Sequence, residues 1–234
     1  MVAKRESEPK KKRNKVLIVD DHPIVRHGIA ELLNHEADLT VCGEAEDAHQ
    51  ALEAIAEIAI LKPDIAIVDI TLKEGLGGIE LIKDIKARYP KLPVLVLSMH
   101  DESLYAERCL RAGAKGYIMK QEATEKVVEA IRQVLGGEIY LSDKMAQKIL
   151  HKFIGGQPEV GGSPIESLSD RELEVFQLIG RGLGTRRIAE ELYLSVKTIE
   201  TYREHIKEKL KLKNAPELAQ HAIQWVQSEN AGSF

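Results

Sequence analysis

Asp64-Ile65-Ala66-Ile67-Val68-Asp69 is a short apolar run bounded by carboxylates, preceded by Pro63 and followed by a glycine-rich loop. A continuous run of this length between breakers predicts a strand buried on both faces, the habit of parallel sheets. A strand that stops on an aspartate places its carboxylate at the carboxyl edge of such a sheet, where open α/β folds bind their ligands. Taken alone, a strand-end Asp is more often a turn former or a helix cap. What else reaches that edge decides its role.

Four further runs match it, at Val16–Asp20, Leu39–Gly43, Val94–Ser98 and Gly116–Met119, with helical patterns between them at roughly 24–35, 47–61, 78–89, 102–112 and 123–135. Strands alternating with helices predict βαβ units and a doubly wound five-stranded parallel sheet over about residues 16–137. Residues 138–164 read as a linker carrying a helix at about 142–153, on the spacing of Met145, Ile149 and Leu150, followed by an aperiodic Gly/Pro stretch from Gly155 to Pro164. After it the pattern is helical only. Ser169-Asp170-Arg171-Glu172 is a capping box opening a helix with Leu173, Phe176 and Ile179 inward. A second helix carries Ile188, Ala189 and Leu192; a third, capped by Ser195, carries Val196, Ile199, Ile206 and Leu210; a fourth is expected to bury Leu218, Ala222, Ile223 and Val226. Residues 165–234 thus form a small all-α four-helix domain.

Composition narrows the functional classes. Residues 1–15 hold seven Lys/Arg against two Glu and read as a disordered basic tail, 16–164 carry −8, and 165–234 carry −1. That division argues against a uniform polyanion-binding surface, so any nucleic-acid contact must come from a local basic face. The chain has no apolar run of membrane-spanning length and a charged N-terminus, which predicts no signal peptide and a cytoplasmic protein. Cys42 and Cys109 lack metal-ligand spacing and read as reduced thiols.

The first and third strands of a doubly wound sheet are commonly neighbours, so Asp20, Asp21 and Asp69 are expected to crowd one edge. Carboxylates this close need raised pKa values or a cation, and oxygen ligands with room for water suit Mg²⁺. Beside such a cation Asp69 becomes a nucleophile toward phosphorus. Ser98 closes the fourth strand with a hydroxyl able to donate to a phosphoryl oxygen, and Lys120 follows the fifth with a positive charge. Tyr117 is a ring able to sit inward or outward. Singly, each residue has an ordinary structural role; jointly, at four strand ends in order, they point to phosphoryl transfer.

Val19-Asp20-Asp21-His22-Pro23, Ile67-Val68-Asp69, Leu97-Ser98-Met99 and Gly116-Tyr117-Ile118-Met119-Lys120 resemble the receiver domain of two-component response regulators, a flavodoxin-like fold. The resemblance implies that Asp69 accepts a phosphoryl group from a sensor histidine kinase. It implies Mg²⁺ on Asp21 and Asp69, with Asp20 acting through water and Thr71 through its backbone carbonyl. Ser98 and Tyr117 become a switch pair, and Lys120 contacts the phosphoryl group. Two departures stand out: the loop from Leu72 to Gly78 lacks the family's frequent proline and is about one residue longer, and Gln121 stands where proline often follows the lysine.

Leu168-Ser169-Asp170-Arg171-Glu172, Gly182-Leu183, Ile188-Ala189-Glu190-Glu191-Leu192, Ser195-Val196-Lys197-Thr198-Ile199 and Lys209-Leu210 resemble the LuxR-type helix-turn-helix of NarL/FixJ regulators, with the motif at 185–204. This implies a recognition helix at Val196–Lys209 in the major groove of double-stranded DNA. Arg186, Arg187, Lys197, Thr198 and Lys207 then lie near phosphates, with Glu200, Thr201, Arg203 and Glu204 on the same polar face. Thr185 and Tyr202 replace the usual Asn and frequent His, and Glu200 and Glu204 put acid on the reading face. Acid in a groove repels phosphates and accepts from cytosine N4, so the two glutamates are expected to restrict the operator. The resemblance further implies a homodimer on DNA, contact with RNA polymerase, and no enzymatic turnover beyond phosphoryl acceptance and slow self-dephosphorylation.

Two other readings are distinguishable. An aspartyl-phosphate phosphohydrolase uses a similar set but needs an acid two residues after its nucleophile, where this chain has Thr71. A regulator that binds DNA without phosphorylation has no use for the acidic edge.

Overall fold

The computed structural model describes residues 13–56, 62–72, 77–154 and 164–231. All five apolar runs are strands: β1 (Asn14–Val19), β2 (Leu39–Ala45), β3 (Ile65–Val68), β4 (Val94–Ser98) and β5 (Gly116–Met119). They pair in parallel in the order β2-β1-β3-β4-β5. Every residue of β3 and β4 is buried, as expected of strands sandwiched between helices. Asp64 fixes the register at the other end of the opening stretch, its carboxylate accepting from the Lys15 N–H at 2.8 Å. The β1–β3 register sets Val19 beside Val68, and the Asp69 N–H donates to the Val19 carbonyl at 2.8 Å. Asp20 and Asp69 therefore leave adjacent strands at the same level.

Helices α1 (Pro23–His35), α2 (Ala48–Ala56), α3 (Gly78–Arg88) and α4 (Glu102–Ala112) connect the strands, and α5 (Ala123–Leu135) follows the last of them. Pro23 opens α1 at a position whose N–H has no helical partner anyway. Asp101 caps α4, and Gly113 closes it at φ 119°, a backbone that favours glycine. Arg132 of α5 reaches back to Asp38 and Glu36, at 2.7 and 2.6 Å.

The start of the first strand and the segment after α5 differ from expectation. Strand β1 starts at Asn14 rather than 16, because Asn14 pairs with Leu39 and its N–H donates to the Asp38 carbonyl. Residues 1–12, 57–61 and the 155–163 linker stretch lie outside the described residues. The segment after α5 is not purely linker: the Tyr140 N–H donates to the Lys115 carbonyl and its own carbonyl accepts from Tyr117, both at 3.0 Å. This bridge covers the outer edge of β5, whose backbone groups would otherwise lack partners.

Helix α6 (Asp143–Phe153), capped by Ser142, packs against α4 through buried Met145, while Leu150 remains 57 % exposed. Its polar contacts include Lys148 on the Ser103 carbonyl. A 3-10 turn at Pro164–Ser167 leads into α7 (Asp170–Gly180), α8 (Thr185–Glu191), α9 (Val196–Leu210) and α10 (Ala215–Ala231). The Ser169/Glu172 capping box forms as expected. Leu173, Phe176, Ile179, Ile188, Ile199, Ile206, Leu218 and Ala222 are buried in one core. Ile223 and Val196, expected inside, are 39 % and 40 % exposed. Helix α10 approaches α7 so closely at Gly180 that an added Cβ would lie 2.5 Å from the Ala222 carbonyl oxygen. That contact selects Leu218 and Ala222 for the interface, and Ile223, one residue round the helix, turns outward.

Candidate acidic site and helix-turn-helix face

The carboxyl ends of β1, β3 and β5 deliver Asp20, Asp69 and Lys120 to one point. Both aspartates are 2 % exposed, and the Lys120 side chain is 5 % exposed. Its ammonium lies 2.6 Å from Asp20 Oδ2 and 2.7 Å from Asp69 Oδ2. The other oxygen of Asp69, Oδ1, accepts from the Thr71 N–H at 3.0 Å. Burial pushes the Asp69 carboxyl above its ordinary value and outweighs Lys120 and the Thr71 amide, which act the other way. Burial alone disfavours the charged form of Lys120, but Asp69 and Asp20 outweigh it and hold its pKa above the usual lysine value.

Ligand atoms of Asp20, Asp21, His22 and Asp69 all lie within 4.8 Å of one another. Carboxylates this close, with one lysine between two of them, form an oxygen-rich donor set that fits a hard divalent cation such as Mg²⁺. Sequence reasoning left His22 and Arg26 out of this site. His22 Nδ1 stands 2.7 Å from Asp21 Oδ1 and 3.2 Å from Asp20 Oδ1, and its N–H donates to Asp20 Oδ1 at 2.8 Å. The Arg26 guanidinium donates to the Asp20 carbonyl and stands 3.4 Å from Glu44. Adjacency marks His22; Arg26 follows only once α1 starts at Pro23 and turns its first turn back over the strand end.

Ser98, fully buried at the end of β4, accepts the His100 N–H at 3.1 Å through Oγ. Tyr117 is turned inward and 1 % exposed, with its hydroxyl donating to the His100 carbonyl at 2.7 Å. Burial drives its pKa well upward, so it stays a neutral donor. The loop after Leu72, whose length departs from the family pattern, lies outside the described residues until Gly77.

In the C-terminal helices, Ser195 caps α9 by accepting the Thr198 N–H at 3.0 Å, and the two hydroxyls are 2.7 Å apart. The turn before it passes through Tyr193 at φ 53°, a left-handed residue 71 % exposed. Arg186, Arg187, Lys197, Glu200, Thr201 and Glu204 are exposed, while Thr198, Arg203 and Lys207 are half-buried. Two of the basic groups already face acids: Lys207 pairs with Glu204 at 2.8 Å and Arg187 with Glu190 at 3.4 Å. Glu172 of the α7 cap holds the far end of α9 through Lys209 at 2.6 Å.

The first domain meets the second at α7 and at the 3-10 turn before it. Asp170 binds Lys83 of α3 at 2.8 Å and Arg108 of α4 at 3.1 Å, and Arg108 also donates to the Glu166 carbonyl. Gln177 donates to the Tyr105 hydroxyl. These contacts leave the outward face of α9 open to solvent.

Comparison with known families agrees with this architecture. Residues 16–132 match the response regulator receiver domain, and residues 166–222 match the luxR family of bacterial regulatory proteins. The chain belongs to the two-component response regulators of the NarL/FixJ type, DNA-binding transcription regulators controlled by phosphorylation. Among its curated relatives is the oxygen regulatory protein NreC of Staphylococcus carnosus, 37 % identical over 89 % of this chain and 96 % of that one. NreC of Staphylococcus aureus shows the same identity and coverage. Among solved structures, RcsB from Salmonella enterica serovar Typhimurium bound to promoter P1flhDC with the phosphomimetic BeF3⁻ superposes with a TM-score of 0.66 at 29 % identity, covering 90 % of this chain and 98 % of that one. An RcsB–DNA complex gives 0.66 at 27 % identity over 90 % and 99 %.

Proposed function

We propose that Asp69 is the phosphoacceptor of this regulator and that a sensor histidine kinase is its phosphodonor. An Asp69 oxygen attacks the phosphorus of a phosphohistidine, the P–N bond breaks, and an aspartyl phosphate forms. The observation that carries this reading is the convergence of the Lys120 ammonium and the Asp20, Asp21 and Asp69 carboxylates at one buried strand edge. Asp21 and Asp69 would hold Mg²⁺ directly, with Asp20 acting through water and the Thr71 carbonyl completing the set. When bound, the ion neutralises charge between carboxylate and phosphoryl oxygens. Lys120 exchanges part of its carboxylate pairing for a phosphoryl oxygen, and Ser98 Oγ donates to another. Tyr117, already inward, holds the adjoining loop in the conformation that follows. The chain has no turnover role beyond accepting and slowly losing this group.

The output is double-stranded DNA read by α9 as a homodimer, since one such helix offers little specific contact and two half-sites supply the rest. Arg186, Arg187, Lys197, Thr198 and Lys207 hold phosphates. Thr201 and Arg203 share the reading face with Glu200 and Glu204, which restrict the operator. RNA polymerase is a further partner, and the cytoplasm is the compartment where kinase and DNA meet; no helix of the described residues is long and apolar enough to cross a membrane.

Incubation with acetyl phosphate and Mg²⁺, resolved on a phosphate-affinity gel, tests the acceptor. Wild type shifts and Asp69→Asn does not; a shift in the Asp69→Asn variant refutes the assignment. Selection of bound sequences by wild type and by Glu200→Ala/Glu204→Ala tests the operator reading, and identical preferences refute it.

A further inference from the structure

We propose that the groove between the two domains binds a short polyphosphate anion, held by cations that both domains supply. The inference is independent of the phosphoacceptor reading. No residue of the acidic site, and none of the DNA contacts proposed above, lines this groove.

Lys83 and Lys86 of α3, and Arg108 and Arg111 of α4, each stand three residues apart, which sets both members of a pair on one face of their helix. Helices α3 and α4 pack side by side, and all four cations line one groove. Its far wall is the 3-10 turn at Pro164–Ser167 with the start of α7, and Lys209 reaches it from the end of α9. The cavity measures about 780 Å³, within the size range of small-ligand sites. Five cations line it against three carboxylates, Glu107, Glu166 and Asp170. The groove thus carries a positive excess although residues 16–164 together carry −8.

The contacts already made leave charge to spare. Asp170 is shared by Lys83 and Arg108, at 2.8 and 3.1 Å, so one carboxylate answers two cations. Arg111 meets Glu107 at 2.6 Å, but its side chain is 79 % exposed, and an ion pair so placed contributes little. Lys86 offers its ammonium to the Pro90 carbonyl at 3.5 Å, a long contact with a neutral group. Lys86 and Arg111 are therefore the cations an incoming anion engages most readily. A guanidinium fork suits two oxygens of one phosphoryl group, and an ammonium suits a point charge beside it. Cations spread over α3, α4 and α9 match several linked phosphoryl groups better than a single one. Among the described residues no aromatic side chain lines the groove, so a nucleobase has no ring to stack on. Recognition falls on the phosphate chain, whether it stands alone or ends a nucleotide. Because Lys209 belongs to the second domain and the other four cations to the first, the bound anion ties the two domains together.

Titration calorimetry and hydrogen exchange on the full chain test this with tripolyphosphate, ATP and adenosine, in EDTA to keep metal from the acidic edge. Tripolyphosphate should bind and adenosine should not. Affinities for tripolyphosphate and ATP within about threefold identify the phosphate chain alone as the ligand, and a larger ATP preference identifies the nucleotide. Bound tripolyphosphate should slow amide exchange in 83–87, 108–112 and 166–170 about threefold or more. Lys86→Gln/Arg111→Gln keeps the side-chain stems and removes two charges; it should weaken binding about tenfold or more and abolish that protection. Arg88→Gln/Lys126→Gln removes as many charges outside the groove, and at about 0.15 M salt it should change the affinity less than about twofold. All four substituted side chains are exposed, and circular dichroism melts verify that both double variants fold. Equal weakening by the two pairs overturns the proposal, as does protection that appears on α8 and α9 but not in the groove segments. Absence of tripolyphosphate and ATP binding up to about 1 mM overturns it too.

Discussion

Replacing Gly78 by alanine tests whether the start of α3 holds the phosphorylation site in shape. An added Cβ would sit 2.1 Å from the Asp69 carbonyl oxygen, 2.4 Å from the Ile70 Cα and 2.9 Å from the Asp69 carbonyl carbon, all backbone. Ordinary carbon contacts begin near 3.5 Å, so the helix start or the strand end must move by roughly 1.3 Å. Neither moves freely: Leu81, Ile82 and Ile85 of α3 are fully buried, and the Gly78 N–H donates to the Ile70 carbonyl at 3.1 Å. Overpacking of this kind costs about 1–3 kcal/mol, and the disturbed hydrogen bond adds about 1 kcal/mol. Alanine's lower entropy in the unfolded chain returns at most about 1 kcal/mol, leaving a net loss of about 1–3 kcal/mol. At about 4 °C per kcal/mol for a domain of this size, Tm falls by about 4–12 °C. Gly28→Ala is the control, since nothing lies within 4 Å of its added Cβ and it sits inside α1; it should stabilise by about 0.5–1 kcal/mol. Urea titration followed by circular dichroism gives the stabilities, and acetyl phosphate labelling reports Asp69, with about a tenfold slower rate expected for Gly78→Ala. A loss below about 1 kcal/mol with normal labelling refutes the argument that this close approach shapes the site.

Lys120→Met leaves Asp20 and Asp69 buried without their shared cation, so urea unfolding should show a loss of about 3–5 kcal/mol, partly restored by Mg²⁺; a loss under about 1 kcal/mol would contradict it. Asp69 holds its proton more tightly in the fold than in the unfolded chain, so its ionisation lowers stability as pH rises from the usual carboxylate range through the raised value. Asp69→Asn should therefore be the more stable protein at pH 7, with the gap closing toward pH 4, as measured by melting temperature across that range. Ser169→Ala removes the α7 cap and should cost about 1 kcal/mol in thermal unfolding, against no change for Ser228→Ala on the exposed face of α10.

Strands β3 and β4 were legible from runs of apolar residues between breakers, because a strand covered on both faces has no polar alternation to confuse the pattern. The parts that were not legible depend on what approaches from outside the element. Val196 and Ile223 carry apolar side chains at helical spacing, yet face outward because the neighbouring helices meet α9 and α10 elsewhere. Tyr140 belongs to the sheet edge, but a single residue bridging across has no periodicity to announce it.

Asp20, Asp69, Ser98 and Lys120 were readable as a set because each sits at the carboxyl end of a strand, and a parallel sheet puts all those ends together. His22 and Arg26 were not, since their approach to Asp20 depends on how α1 leaves the strand. The inward setting of Tyr117 was open in the sequence, where either position suits its amphipathic ring; the His100 carbonyl within 2.7 Å decides it. Least legible was the grip of Arg108 and Lys83 on Asp170, which joins residues 62 and 87 positions apart in separate domains.

The ion pairs of Arg132 with Asp38 and Glu36 bear on the order in which the chain is built. One face of the sheet is closed by α1 and α5 together, with Val16, Ile18, Ile29 and Leu33 packed with Val127, Ile131 and Val134. The residues that complete this layer are therefore separated by about a hundred positions, and α1 leaves the ribosome long before α5 exists. At about 5–20 residues per second, its apolar side waits on the order of 5–20 seconds for a partner. The interior strand β1 is in the same position, since β3 must arrive from beyond β2 to cover its other edge. Folding during synthesis must then end in one late step, when α5 docks and Arg132 reaches Asp38. A ribosome stalled before residue 132 should hold a receiver without a finished face, a prime target for chaperones.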